Sequence, residues 1–162
     1  MLTTRKGLRV GLLLAALAPG CSNALQPVER GFEPGESVGT NDALRAEVAW
    51  MRYEEELVTV RTELRNRGAR PIAVDRAAIV LAFDGLEYPP DPEQSDVSEL
   101  VLEGKTTAII ELTYRLSRPM RDRGALWLRG VRQHDGERWF DPARLELPPA
   151  PTPPSPEDPR TR

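Results

Sequence analysis

Val58-Thr59-Val60-Arg61-Thr62-Glu63-Leu64-Arg65-Asn66-Arg67-Gly68 carries the pattern that decides the fold. Val58, Val60, Thr62 and Leu64 share one parity, while Thr59, Arg61, Glu63 and Arg65 share the other. A period of two puts the first set on one face of an extended strand and the charged set on the opposite face, toward water. Wound as a helix, the same residues would scatter charge into a core. The run then meets Asn66-Arg67-Gly68-Ala69-Arg70-Pro71, which predicts a turn: Asn and Gly tolerate positive φ, and Pro71 has no N–H for a ladder.

The alternation extends in both directions. Leu44, Ala46, Val48 and Trp50 fall on one parity against Arg45 and Glu47, which predicts a strand with Trp50 facing inward. Glu54-Glu55-Glu56 reads as the reversal between these first two strands. Ile72–Val74 and Ala77–Phe83 follow, with Ile79, Leu81 and Phe83 on one face, and Asp84-Gly85 is a strong hairpin signal. Leu100–Leu102 and Thr107–Leu116 flank Glu103-Gly104-Lys105, with Ala108, Ile110, Leu112, Tyr114 and Leu116 pointing inward. Ala125–Val131 and Arg138–Leu147 read as a terminal hairpin around His134-Asp135-Gly136. The expectation is an all-β, antiparallel sandwich of about seven or eight strands over residues 44–147, without a helix.

These turn motifs resemble those of small immunoglobulin-like domains of uncharacterised function found on bacterial lipoproteins. The shared features are Val58 to Leu64 running into Asn66-Arg67-Gly68, Ile79 to Asp84 with Gly85, and Leu102-Glu103-Gly104-Lys105 leading into a late strand. The resemblance implies an immunoglobulin-like β-sandwich and no particular activity, because such folds host many functions. Asn66 to Val74 is also loosely similar to part of the β-sandwich outer-membrane lipoprotein of type VI secretion systems, which implies an accessory role in a secretion or envelope-assembly machine.

The N-terminus carries an address. Arg5, Lys6 and Arg9 precede an apolar run, Val10 to Ala18, that ends at Pro19-Gly20-Cys21. The run is far shorter than the roughly 20 residues of a membrane span, so residues 1–20 read as a cleavable signal peptide. The order of basic, apolar and Gly-Cys segments resembles a bacterial lipoprotein signal, with Leu17 one position further from the cysteine than is usual. The resemblance implies acylation of Cys21, attachment to the membrane through its acyl chains, and, with Ser22 following, sorting to the outer membrane. One chain binds marginally; two or three hold effectively permanently. Residues 21–43, rich in Gly, Pro, Ser, Asn and Glu, read as the lipidated end and a flexible tether, and residues 148–162 as a Pro-rich disordered tail.

Without residues 1–21 the chain has 19 basic and 25 acidic side chains, a formal charge of −6. That balance disfavours nucleic acid as a partner. Acylation of Cys21, the single cysteine, would leave neither a disulfide nor a thiolate nucleophile. Lys6 and Lys105 stand beside twenty arginines spread along the chain, a composition more than a site.

Candidate sites are few. Arg115, Arg118, Arg121 and Arg123 are close together in sequence and suit a phosphate or carboxylate. Trp127 and Trp139 lie on the last two expected strands, where they would neighbour each other as an aromatic pair. His134 beside Asp135 has no identifiable serine partner for a triad. Asp91, Glu93, Asp96 and Glu99 lack the glycine and terminal glutamate spacing of a calcium loop. No catalytic residue, metal site or cofactor is expected, and the inward positions are almost wholly apolar. The reading is a lipid-anchored module, not an enzyme, that binds an envelope protein or cell-wall component; a hydrolase with an unrecognised site is the contrasting class.

Overall fold

A computed structural model describes residues 27–136 and 138–151, so the signal peptide, Cys21 and most of the Pro-rich tail lie outside the described residues. Among the described residues every regular element is a strand, apart from one 3-10 turn at Arg76–Ala78. In chain order the strands are β1 (Val28–Gly31), β2 (Val38–Thr40), β3 (Leu44–Glu54), β4 (Leu57–Asn66), β5 (Ile72–Asp75) and β6 (Ile79–Phe83). They continue as β7 (Leu86–Tyr88), β8 (Glu99–Leu102), β9 (Thr107–Arg115), β10 (Gly124–Leu128), β11 (Val131–Gln133) and β12 (Ala143–Leu147). All pairings are antiparallel: one sheet runs β1-β3-β4-β9 with β2 also on β3, a second β12-β10-β6-β7, and a third β11-β5-β8.

The alternation in β4 has its expected outcome. Val58, Val60, Thr62 and Leu64 are buried, and β4 bonds β3 on one side and β9 on the other. One apolar cluster draws Leu44, Val48, Val58 and Leu112 from the first sheet, Leu81, Leu126 and Leu145 from the second, and Ile72, Leu102 and Val131 from the third. Burying each such side chain contributes about 1.5–3 kcal/mol. Polar threads join the sheets: the buried Tyr114 hydroxyl donates to Ile79 O at 3.2 Å, and Ser37 Oγ donates to Glu146 O at 2.7 Å.

Several expectations need correction. Trp50 is half-buried on the outer face, because a β-bulge between Val48 and Trp50 adds a residue to β3 and reverses its parity. Met51 and Tyr53 take the inward places instead. The tether expected over residues 21–43 is partly sheet, since β1 and β2 both pair with β3 and residue Phe32 packs on the core. The tail expected from 148 onward begins as packed chain: Ala150 N donates to Met120 O at 2.9 Å, and Pro148 O accepts from the Tyr53 hydroxyl at 3.2 Å.

The expected terminal hairpin forms in a single register, with β10 against β12, Arg132 bridged to Trp139, and Gln133 N donating to Arg138 O at 2.8 Å. Its first arm is shared between sheets, because Gly130, with φ of 70°, turns the chain so that β10 joins β6 and β11 joins β5 on the other side. Within β10, Trp127 lies opposite Arg144. Among the described residues twelve strands form, ten of them within 44–147 where seven or eight were expected, because the long apolar runs are broken between sheets and short edge strands add to them.

At the Asn66 turn the mechanism differs from the one expected. Neither Asn66 nor Gly68 has positive φ. Asn66 is fully buried, and its Nδ2 donates to the carbonyls of Arg70 (2.8 Å), Leu102 (3.1 Å) and Glu103 (3.2 Å), while Oδ1 accepts from Gly68 N at 2.8 Å. One amide thus ties two turns together. Gly104 completes the junction, because a Cβ there would lie 2.1 Å from Ala69 O.

Candidate functional site

The loop before β3 and the segment leading into β12 meet at one end of the molecule. Asn41 Oδ1 accepts from Ala43 N (2.9 Å) and Leu44 N (2.7 Å), and its Nδ2 donates to Asp141 O at 2.7 Å. Between them opens a groove of about 320 Å³, lined by residues that include Thr40, Asp42, Arg138, Trp139 and Phe140. Trp139 is 63% exposed, the most exposed of the large apolar side chains among the described residues. It is held by its backbone in a bridge to Arg132, and the next residue, Phe140, donates to Val131 O at 2.9 Å. The Arg138 guanidinium lies 5.2 Å from the Phe140 ring centre and 3.8 Å from the Asp42 carboxylate. An open indole face flanked by a cation and carboxylates suits stacking combined with hydrogen bonding.

Trp127 is a different case. The guanidiniums of Arg129 and Arg144 lie 5.7 and 5.4 Å from its ring centre, and Arg129 is itself held by Glu87 at 2.7 and 2.5 Å. The Glu87 contact raises the Arg129 pKa, while that guanidinium lowers the Glu87 pKa. With β12 residue Arg144 opposite Trp127, the two tryptophans expected to be neighbours across a hairpin are not paired.

The four arginines of the 115–123 stretch divide between loops. Arg115 pairs with Asp91 at 3.1 Å, and Arg118 pairs with Asp84 while lying 5.6 Å from the Phe83 ring centre. A groove of about 300 Å³ brings Arg118 and Arg121 together with Phe83, Pro119 and Asp122, and Arg115 and Arg123 are not part of it. Three of the acids in the 91–99 stretch are engaged. Asp96 accepts from Ser98 Oγ (2.7 Å) and Ser98 N (3.0 Å) and pairs with Arg76, so these contacts, the Ser98 hydroxyl first, pull its carboxyl down to about 2. Glu99 pairs with Arg132 at 2.8 Å, and the Asp91 carboxylate, besides pairing with Arg115, accepts from Glu93 N at 3.0 Å. His134 is an exposed turn residue whose backbone N donates to Pro71 O at 3.1 Å.

The chain matches no family model, no curated protein and no solved structure. Sequence reading singled out Trp139 but paired it with the wrong partner, and it missed Asn41, Asp42 and Arg138. The Asn41-Asp42 pair just before an alternating run was the available signal, since such residues cap and shape loops.

Proposed function

We propose that this chain is a lipid-anchored cell-envelope protein whose β-domain, an immunoglobulin-like sandwich, acts as a non-catalytic binding module through the Trp139 groove. The observation that carries the reading is the exposure of Trp139 at the end of β3 opposite the entry of the chain. Val28 opens β1 opposite Tyr53, whereas the groove adjoins Leu44 at the other end of β3. Those ends are roughly 30 Å apart for a strand of this length. The segment from Cys21 to Val28 reaches at most roughly 25 Å when fully extended. An acylated Cys21 would therefore keep the domain close to the lipid with the groove turned away from it, toward an envelope protein or cell-wall partner. The sandwich reading is supported by antiparallel sheets whose inner faces share one apolar cluster.

In-cell cross-linking of the tagged full chain tests the module. A specific partner should be captured, and its recovery should fall at least about tenfold in Trp139→Ala, the loss expected when an aromatic anchor is truncated. Arg121→Ala should leave recovery unchanged. Recovery of abundant envelope proteins alone, or equal capture by Trp139→Ala, would overturn the proposal. For the anchor, Cys21→Ser should move the protein out of the membrane fraction.

A further inference from the structure

The outer edge of β9 is open along half of its length. β9 bonds only β4 within the sheet, and the bonds from Asn66 N to Thr106 O and from Leu116 N to Glu56 O set which residues turn toward β4. Antiparallel geometry then directs the backbone groups of Thr107, Ile109, Glu111 and Thr113 outward. At Thr113 they are used: its N–H donates to Ser95 Oγ at 2.8 Å, and its carbonyl accepts from Asp91 N at 2.7 Å. Among the described residues no group bonds the outward backbone of Ile109 or Glu111. Exposed edges are commonly guarded by lysine, proline or a bulge. Here the middle of the open stretch is Ile109, an apolar β-branched residue that is 56% exposed, and the β4–β9 register has no irregularity.

We infer that β9 pairs antiparallel with β9 of a second copy of this chain, about a two-fold axis through Ile109. An axis through Ala108 would set Glu111 opposite Lys105, whose N–H already bonds Gly68 O, and one through Ile110 would set Thr107 opposite Thr113, whose outward groups are already bonded. Charge selects among the rest. With Ile109 on the axis, Thr107 of one copy faces Glu111 of the other. Within each copy Glu111 lies opposite Arg61, and Thr107 lies opposite Arg65. A row across the joined sheets then reads Arg61, Glu111, Thr107, Arg65, so each carboxylate keeps Arg61 on one side and faces an uncharged threonine across the seam. An axis through Glu111 would set the two carboxylates against each other, which is destabilising. An axis through Thr107 would place Ile109 opposite Lys105, which lies in a turn with φ of 63°.

A strand edge of this length buries less than the roughly 1,000 Å² of a stable soluble interface, so the pairing belongs where copies are concentrated in the envelope. The test is disulfide cross-linking of the full chain in cells under mild oxidant. Ile109→Cys should give covalent dimer severalfold above both the unsubstituted chain and Glu29→Cys, an exposed position on the opposite edge strand. Directly opposed residues in a bonded antiparallel pair lie about 5.5 Å apart, within disulfide range. Thr107→Cys and Glu111→Cys should each cross-link weakly alone, since like positions lie roughly 14 Å apart along the strand, and strongly when co-expressed. Equal yields at Ile109 and Glu29, or a Thr107→Cys yield matching that of the mixed pair, would overturn the inference. Urea midpoints of all variants, expected to equal that of the unsubstituted chain, separate lost pairing from lost folding.

Discussion

Asn66 and Trp50 show how far a single residue is legible. Asn66 marks a turn in sequence, and a turn is there, yet its contribution comes from its side chain rather than from a left-handed backbone. Its amide satisfies the carbonyls of Leu102 and Glu103, 36 and 37 residues further along the chain. No local pattern announces bonds of that range. Asn66→Ala would leave buried carbonyls without a donor, and a loss of about 2–3 kcal/mol is expected in urea unfolding. Asn66→Asp should be no better, because a carboxylate cannot donate to those carbonyls. Trp50 has inward parity in the sequence and an outward position in the sheet because the bulge before it inserts one residue. A bulge is a property of pairing two strands, so counting along one strand does not reveal it.

At the level of elements, the long strands were legible and the short ones were not. β3, β4 and β9 alternate for long enough that only one face can be buried. β1 and β2 are short edge strands in a segment rich in Gly, Pro and Glu, and they draw their stability from β3 rather than from their own residues. Their contribution can be measured by truncation. A chain beginning at residue 44, the boundary that alternation alone suggests, should lose cooperative unfolding or drop sharply in urea midpoint, because it lacks β1 and β2, which pair one edge of β3, and the Ser37 bond to Glu146. A chain beginning at residue 27 should unfold cooperatively. Equal midpoints for the two would show β1 and β2 to be dispensable. The division of Ala125–Val131 between two sheets follows from Gly130, where a Cβ would lie 2.8 Å from that of Asp75. The glycine is visible in the sequence; the neighbour that makes it necessary is not.

Across the whole molecule, stability should depend on alkali through its buried phenols. Burial pushes the Tyr53 hydroxyl up to about 12, against a weaker lowering by Arg30, and burial raises Tyr114 as well. An unfolded phenol ionises near pH 10. Between these values the unfolded chain holds fewer protons than the folded one, so stability is full below pH 10 and falls as the pH climbs toward 12. Urea midpoints from pH 8 to 11.5 should show this decline, and Tyr53→Phe should make it shallower without removing it, since Tyr114 remains. A slope identical to that of the unsubstituted chain would show that Tyr53 is not a source. Taken by itself, the order of residues determined the all-β class, the faces of the long strands and the places where the chain reverses, because alternation and turn chemistry are local and need no partner. Only the tertiary structure decided how those strands divide among three sheets, that residues 28–40 belong to the domain, and that Trp139 stands open while Trp127 is covered. Each of those outcomes depends on which distant backbone or guanidinium lies opposite, and that is set by packing across the fold.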